Sequence, residues 1–233
     1  MMGWRAKLGV LVPSSNTTME PELYRLAPQG VSLHFARLKI LRDTPEEIEG
    51  MVGDLEKEAA NLADAGLNAI CFGCTAGSFY GGIDYDTRII ERIHDVTGTA
   101  ATTTSTAVIR ALSALKAKKI SVLTPYPDWL NEKLRDYFER HGFEIVAMKG
   151  LDLETGMEEV PPERIYRMAR EITKPESDTV FISCTDFPAL EIVDRLEQDL
   201  GKPVVSSNLA TMWMLLKIVS LPDKLGRYRI CSI

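Results

Sequence analysis

The sequence predicts an α/β protein built from two similar parallel-sheet halves related by pseudo-two-fold symmetry, with the working cleft between them. Three observations carry this. Strand-like apolar runs alternate with amphipathic helical stretches along all 233 residues, which implies parallel sheets covered by helices. Landmarks recur: Pro13 with Asn16 reappears as Pro125 with Asp128, and Cys74 reappears as Cys184, at nearly the same offset, the mark of an internal duplication. The unusual polar clusters also fall where apolar runs stop: Pro13-Ser14-Ser15-Asn16, Cys74-Thr75, Thr102 to Ser105, Thr124-Pro125-Tyr126, Cys184-Thr185 and Ser206-Ser207-Asn208. In parallel sheets ligands bind beyond the carboxyl ends of the strands.

Leu8–Val12 reads as the first strand, closed by Pro13. Thr17-x-x-Glu20 fits a capping box and opens a helix near Thr17. Val31–Leu38 is the second strand. Thr44-Pro45-Glu46-Glu47 then starts one long helix to about Ala65, with an N-cap Thr, Pro at the first position and early acids. Gly66 ends it. Asn68–Gly73 is a buried strand, Tyr85–Thr97 a helix, Thr99–Thr103 a strand and Thr106–Leu115 a helix. The second half repeats the order: strands over 119–124, 143–149, 178–183 and 203–206, and helices over 128–141, 162–173, 188–200 and 209–219. Residues 1–103 are the first half and 104–207 the second, with the C-terminal helix 208–233 returning to pack on the first.

Composition bounds the function. A hydrophobic content of 45% suffices for a core, and a net charge of -6 without a basic stripe argues against nucleic acid. The longest apolar stretch, Leu209 to Leu221, is interrupted by Lys217 and is too short to span a bilayer. Arg5 to Val12 is too short for a signal peptide and ends at Pro13, so the expected location is the cytoplasm. Four cysteines do not suggest a disulfide scaffold. Cys71 and Cys74 share a Cys-x-x-Cys spacing, but no second pair completes a zinc site, and Cys71 lies inside the strand as a small core residue. Cys231 has no evident partner. No phosphate loop, dinucleotide fingerprint or metal-spaced cluster is present, so neither a cofactor nor a metal is expected.

A lone strand-end cysteine is ordinarily a core residue. Two at equivalent positions of a duplication, each followed by Thr, are a different matter. At a strand end that leads into a helix, backbone N–H groups and the helix dipole favour the thiolate. A thiolate can attack an electron-poor carbon or exchange a proton with a carbon acid. Cys74 and Cys184 are therefore the expected catalytic pair. Ser14, Asn16, Thr75, Tyr126, Thr185 and Asn208 are expected to bind substrate as neutral donors, suited to a carboxylate and a developing enolate. Asn16 and Asn208 also read as plain helix N-caps.

The segments Pro13 to Glu20, Cys74-Thr75, Thr124-Pro125-Tyr126, Cys184-Thr185 and Ser206-Ser207-Asn208 together resemble the maleate cis-trans isomerases. More broadly they resemble the aspartate/glutamate racemase superfamily, with arylmalonate decarboxylases and hydantoin racemases as relatives. The resemblance covers almost the whole chain. It implies a cofactor-independent reaction on a small dicarboxylate, a homodimer or homotetramer, and Cys74 as nucleophile with Cys184 handling the proton at the neighbouring carbon. Departures matter too. Glutamate racemases carry histidine where Asp186 stands and asparagine where Thr75 stands, and open with Asp-Ser-Gly where Ser14-Ser15-Asn16 stands. Arylmalonate decarboxylases lack the first cysteine. The isomerases' substrate-binding asparagine has no counterpart near Thr155-Gly156-Met157, so either the loop is rearranged or the substrate differs from maleate.

Overall fold

The computed structural model describes residues 3–221 and 228–232, the last two without their side chains. The first sheet holds β1 (Ala6–Pro13), β2 (Val31–Leu38), β3 (Ala69–Phe72) and β4 (Ala101–Thr103), in the order β2-β1-β3-β4. The second holds β5 (Lys119–Leu123), β6 (Glu144–Lys149), β7 (Thr179–Ile182) and β8 (Val204–Ser206), in the order β6-β5-β7-β8. All neighbours are parallel. The two orders are the same, as a duplicated chain requires. The central strands of each sheet are buried on both faces, which is why they read as continuous apolar runs rather than alternating ones.

Ten helices cover the described sheets: α1 (Met19–Leu26), α2 (Pro45–Gly53), α3 (Leu55–Ala63), α4 (Thr75–Phe79), α5 (Tyr85–Thr97), α6 (Thr104–Ala114), α7 (Asp128–Arg140), α8 (Pro162–Ile172), α9 (Leu190–Leu200) and α10 (Ser207–Ile218). Their buried residues follow helical spacing, as with Ile165, Met168, Ala169 and Ile172 of α8. The expected single helix from Thr44 to Ala65 breaks in two at Asp54 (φ -89°, ψ 2°). Gly50 and Gly53 just before it weaken the helix there. The expected capping box at Thr17 does not form. The helix begins two residues later, and the Asn16 Oδ1 accepts the N–H of Thr18 (3.1 Å) and of Met19 (2.9 Å) instead. Glu20 turns outward to pair with Arg37 at 3.2 Å.

The halves are fastened across the cleft. Phe79 of α4 lies 6.0 Å from the Tyr126 ring and 6.2 Å from that of Tyr137 on α7. All three rings are fully buried, each contributing about 1.5–3 kcal/mol through burial. Beneath them the Asp86 carboxylate accepts hydrogen bonds from Thr106 (2.5 Å) and Tyr137 (2.8 Å), joining α5 to α6 and α7. The last helix, α10, packs on α6, α1 and β3. Residues 229–232 form a short 3₁₀ turn beside β8, with the Arg229 N–H donating to Glu197 of α9 (3.0 Å), whereas residues 222–227 and the Cys231 side chain lie outside the described residues. No helix among those described is long and apolar enough to cross a membrane.

Candidate active site

The two sheets present equivalent strand ends to one another. After β3 the Gly73 N–H donates to the carbonyl of Leu11 at the end of β1 (2.7 Å), and after β7 the Ser183 N–H donates to that of Leu123 at the end of β5 (2.8 Å). The next residue in each case is the cysteine. Both thiols line one cavity of about 160 Å³, whose wall also includes Asn16, Asp43, Tyr126 and Asp186. Gly73 is required by close approach. A Cβ there would sit 2.8 Å from Met19 Sδ and Val10 Cγ1, and 3.1 Å from the Leu11 carbonyl oxygen.

The equivalence ends at the cysteines themselves. Cys74 has extended backbone (φ -133°) and caps α4, its sulfur accepting the Gly77 N–H at 3.3 Å. Cys184 has φ +90°, a left-handed conformation costly for a residue with a side chain. Its sulfur accepts the Asp186 N–H at 3.4 Å. Strained backbone of this kind persists where surrounding bonds impose it, and here Ser183 is tied to Leu123 while the Thr185 hydroxyl donates to the Gly73 carbonyl (3.1 Å).

The helix start was expected to favour a thiolate at Cys74, and burial outweighs it. Burial pushes the Cys74 thiol up, Asp43 and Asp186 add to this, and the N–H groups of Gly77 and Ala76 oppose it. Cys184 is raised for the same reasons, with the Asp186 N–H as its opposing donor. Cys71, fully buried in β3, is pushed up to about 12. The resting site therefore holds neutral thiols. Tyr126 is raised by burial and by its proximity to the Cys184 sulfur, so its hydroxyl stays protonated. It accepts a hydrogen bond from Ser183 (3.3 Å), and its own hydrogen is left to donate.

Other expected residues are placed differently. Asn16 spends its oxygen on α1 and one amide hydrogen on Thr185 (3.0 Å), leaving one hydrogen for the cavity. The Thr75 hydroxyl donates to Ser207 (3.0 Å) and that of Thr185 to Gly73, so their hydroxyls serve the protein. The first N–H groups of α4, those of Thr75 and Ala76, have no acceptor within their own helix. Ser14 and Asn208 do not reach the cavity wall. Ser14 bridges the carbonyl (2.9 Å) and N–H (3.1 Å) of Ile40. Asn208 donates to Glu22 (2.7 Å) and to the Thr185 carbonyl (3.0 Å) from behind.

Three residues gain a role only from the structure. Arg37 holds the Pro13 to Asn16 turn through the carbonyls of Ser14 (3.2 Å) and Asn16 (2.9 Å). Asp186 caps the start of α1, its Oδ1 accepting from Thr17 (2.9 Å) and Thr18 (3.1 Å), and burial raises it to about 6. Asp43, in the loop after β2, has no hydrogen-bond or ion-pair partner for its carboxyl among the described residues, and burial with its acidic neighbours raises it to about 7. Among the described residues no group of three or more His, Cys, Asp or Glu side chains could hold a metal ion.

Paired thiols at duplicated strand ends of two parallel sheets mark an α/β protein of the racemase-like fold. The arylmalonate decarboxylase family model matches residues 8–228, and the chain belongs to that family. It is similar to the maleate isomerase of Nocardia farcinica, 29% identical over 233 aligned residues that cover 95% of this chain and 92% of that protein. The maleate isomerase Iso from Pseudomonas putida S16, solved as a cysteine-to-alanine variant with maleate, superposes with a TM-score of 0.91 at 28% identity, covering 97% of this chain and 95% of that one. A cysteine-to-serine mutant of the Nocardia farcinica maleate cis-trans isomerase, holding a covalently bound succinylcysteine intermediate, superposes with a TM-score of 0.92 at 26% identity, covering 97% and 98%.

Proposed function

We propose that this protein is a cofactor-independent isomerase of small cis-enedioates, converting maleate to fumarate through a covalent adduct on Cys74. The observation that carries the reading is the convergence of both thiols on one small cavity. The succinylcysteine intermediate of the Nocardia farcinica relative supports it. Cys74 is the nucleophile because two backbone donors, Gly77 and Ala76, stabilise its anion, against one at Cys184.

Both thiols rest protonated; the cycle begins once Cys74 has lost its proton to solvent while Cys184 remains a thiol. The Cys74 sulfur bonds to one alkene carbon while the π electrons take the Cys184 proton at the neighbouring carbon. The former double bond is now single and rotates. Cys184 then removes the proton from that carbon, the electron pair re-forms the double bond, and the C–S bond breaks. Protons and electrons balance over the cycle, so no redox partner is involved. The free hydrogens of Asn16 and Tyr126 hold one carboxylate, and the first N–H of α4, at Thr75, holds the other. Ser14, Asn208 and the hydroxyls of Thr75 and Thr185 support the wall rather than touch substrate.

The test is proton NMR of maleate incubated with the protein in D₂O. Fumarate forms with intact thiols and stops after alkylation or in Cys74→Ala. Full activity of Cys74→Ala refutes the mechanism. A second reading, a racemase using the thiols as acid and base at one carbon, draws on the Asp43 and Asp186 carboxylates, which would receive a substrate ammonium. Deuterium entering Cα of aspartate or glutamate in the same tubes, with maleate untouched, would select it.

A further inference from the structure

The charge lining the cavity is lopsided. Asp43, Glu154, Glu158 and Asp186 face it, with Arg42 as the one cationic side chain among the described lining residues. Arg42, Glu154 and Glu158 are exposed at the mouth, whereas Asp186 is buried and Asp43 is largely so. The two inner carboxylates differ in their commitments. Asp186 is bonded to the backbone of Thr17 and Thr18. Asp43 is held by its backbone, its N–H donating to the Glu154 carbonyl at 3.0 Å, while its carboxyl has no hydrogen-bond or ion-pair partner among the described residues. It is also the leading charged neighbour of both thiols.

A buried carboxylate without a donor is unfavourable, and such groups are normally paired. A dianionic substrate would bring a second carboxylate into a cavity that already holds this uncompensated one, compounding the cost. A substrate with an N–H donor near Asp43 would relieve it, and its carboxylate would be left for the donors of Asn16 and Tyr126 in the same cavity. The isomerase reading needs only that the alkene be conjugated to an electron-withdrawing group at the carbon next to the site of attack. A carboxamide does this as well as a carboxylate.

We propose that Asp43 is a specificity-determining residue that selects cis-enoates bearing one carboxylate and one carboxamide, with the amide N–H groups donating to the Asp43 carboxylate. The proposal rests on the isomerase reading and narrows its substrate. The chemistry is unchanged: the Cys74 sulfur adds at the carbon β to the amide carbonyl, Cys184 supplies the proton at the α carbon, and both steps reverse after rotation.

The test compares maleate with its half-amide, maleamate, at pH 8, where Asp43 is ionised, for the unmodified protein and for Asp43→Asn. The expected result is a kcat/KM for the half-amide at least about tenfold above that for maleate, with the ratio falling about tenfold or more in Asp43→Asn. Maleate preferred by the unmodified protein, with a ratio unmoved by Asp43→Asn, overturns the proposal and leaves the isomerase reading standing. Calorimetry with the saturated analogues succinate and succinamate reads the same selection without turnover. Succinamate bound more tightly, with the preference lost in Asp43→Asn, supports Asp43 as selector even if neither alkene isomerises, which would count against the isomerase reading alone. Equal binding of the two analogues, or binding of neither, overturns the proposal.

Discussion

Replacing Cys184 by glycine should stabilise the fold while removing the proton-transfer group. The backbone at this residue has φ +90°, and a non-glycine residue held in such a region costs about 1–3 kcal/mol. The conformation is imposed from both sides, by the Ser183 N–H on Leu123 (2.8 Å) and the Thr185 hydroxyl on Gly73 (3.1 Å), so the strain remains in any variant with a Cβ. Cys184→Ala is therefore the proper comparison: it loses the same thiol and keeps the strain. Glycine removes the strain and gives back about 0.5–1 kcal/mol through the greater freedom of its unfolded chain. The glycine variant should unfold about 1–2 kcal/mol later than the alanine variant. For a chain of this length that is a difference in Tm of roughly 2–8 °C. Thermal and urea melts of the two proteins at one pH read it directly. An alanine variant as stable as the glycine variant would refute the claim that Cys184 sits in stored strain, and with it the view that stability is given up here to aim the thiol.

Three further outcomes follow from the same geometry. Gly73→Ala forces a methyl against the Leu11 carbonyl oxygen, costing about 1–3 kcal/mol by overpacking; displacing Cys74 by a few tenths of an ångström should also cost about tenfold in kcat, and unchanged melting and turnover would contradict this. Tyr126→Phe keeps the ring against Phe79 but deletes the hydroxyl donor, so kcat/KM should fall about 10- to 100-fold with little change in Tm; equal kinetics would remove Tyr126 from substrate binding. Asp43, Asp186 and Glu22 hold their protons to about 7, 6 and 7 when folded, against ordinary values of 3.8, 3.8 and 4.5. The native state then binds more protons than the unfolded chain between pH 5 and 7, so stability falls as pH rises through that window and levels above it. Asp43→Asn should flatten the fall by up to about 1.4 kcal/mol per pH unit, and urea midpoints with the same slope in both proteins would argue against it.

Much of this was legible in the residues, for identifiable reasons. Val31–Leu38 and Tyr85–Thr97 fall where periodicity and stop signals put them, because burial and local propensity agree there. The meeting of Cys74 and Cys184 on one cavity follows from the repeat, since equal sheet orders place equal strand ends face to face. What was hidden depends on tertiary contact. Asn16 took the capping role from Thr17 because its oxygen reaches two N–H groups at once. Ser14 and Asn208 carry the right polar groups but find backbone and carboxylate partners away from the cavity. Asp43 lies in a loop with no periodicity to mark it, and only the fold brings its carboxyl beside both thiols. Thiol ionisation was misjudged for a related reason: the helix start was visible in the sequence, the depth of burial was not.

The most direct test of the covalent mechanism is the mass of Cys184→Ser after exposure to maleate. With the proton-transfer thiol replaced, the Cys74 adduct should accumulate. The intact protein should gain the mass of one maleic acid, and fragmentation should place it on Cys74 rather than Cys71 of the same peptide. An unmodified protein that still converts maleate to fumarate, or an adduct carried by Cys71, would contradict the account.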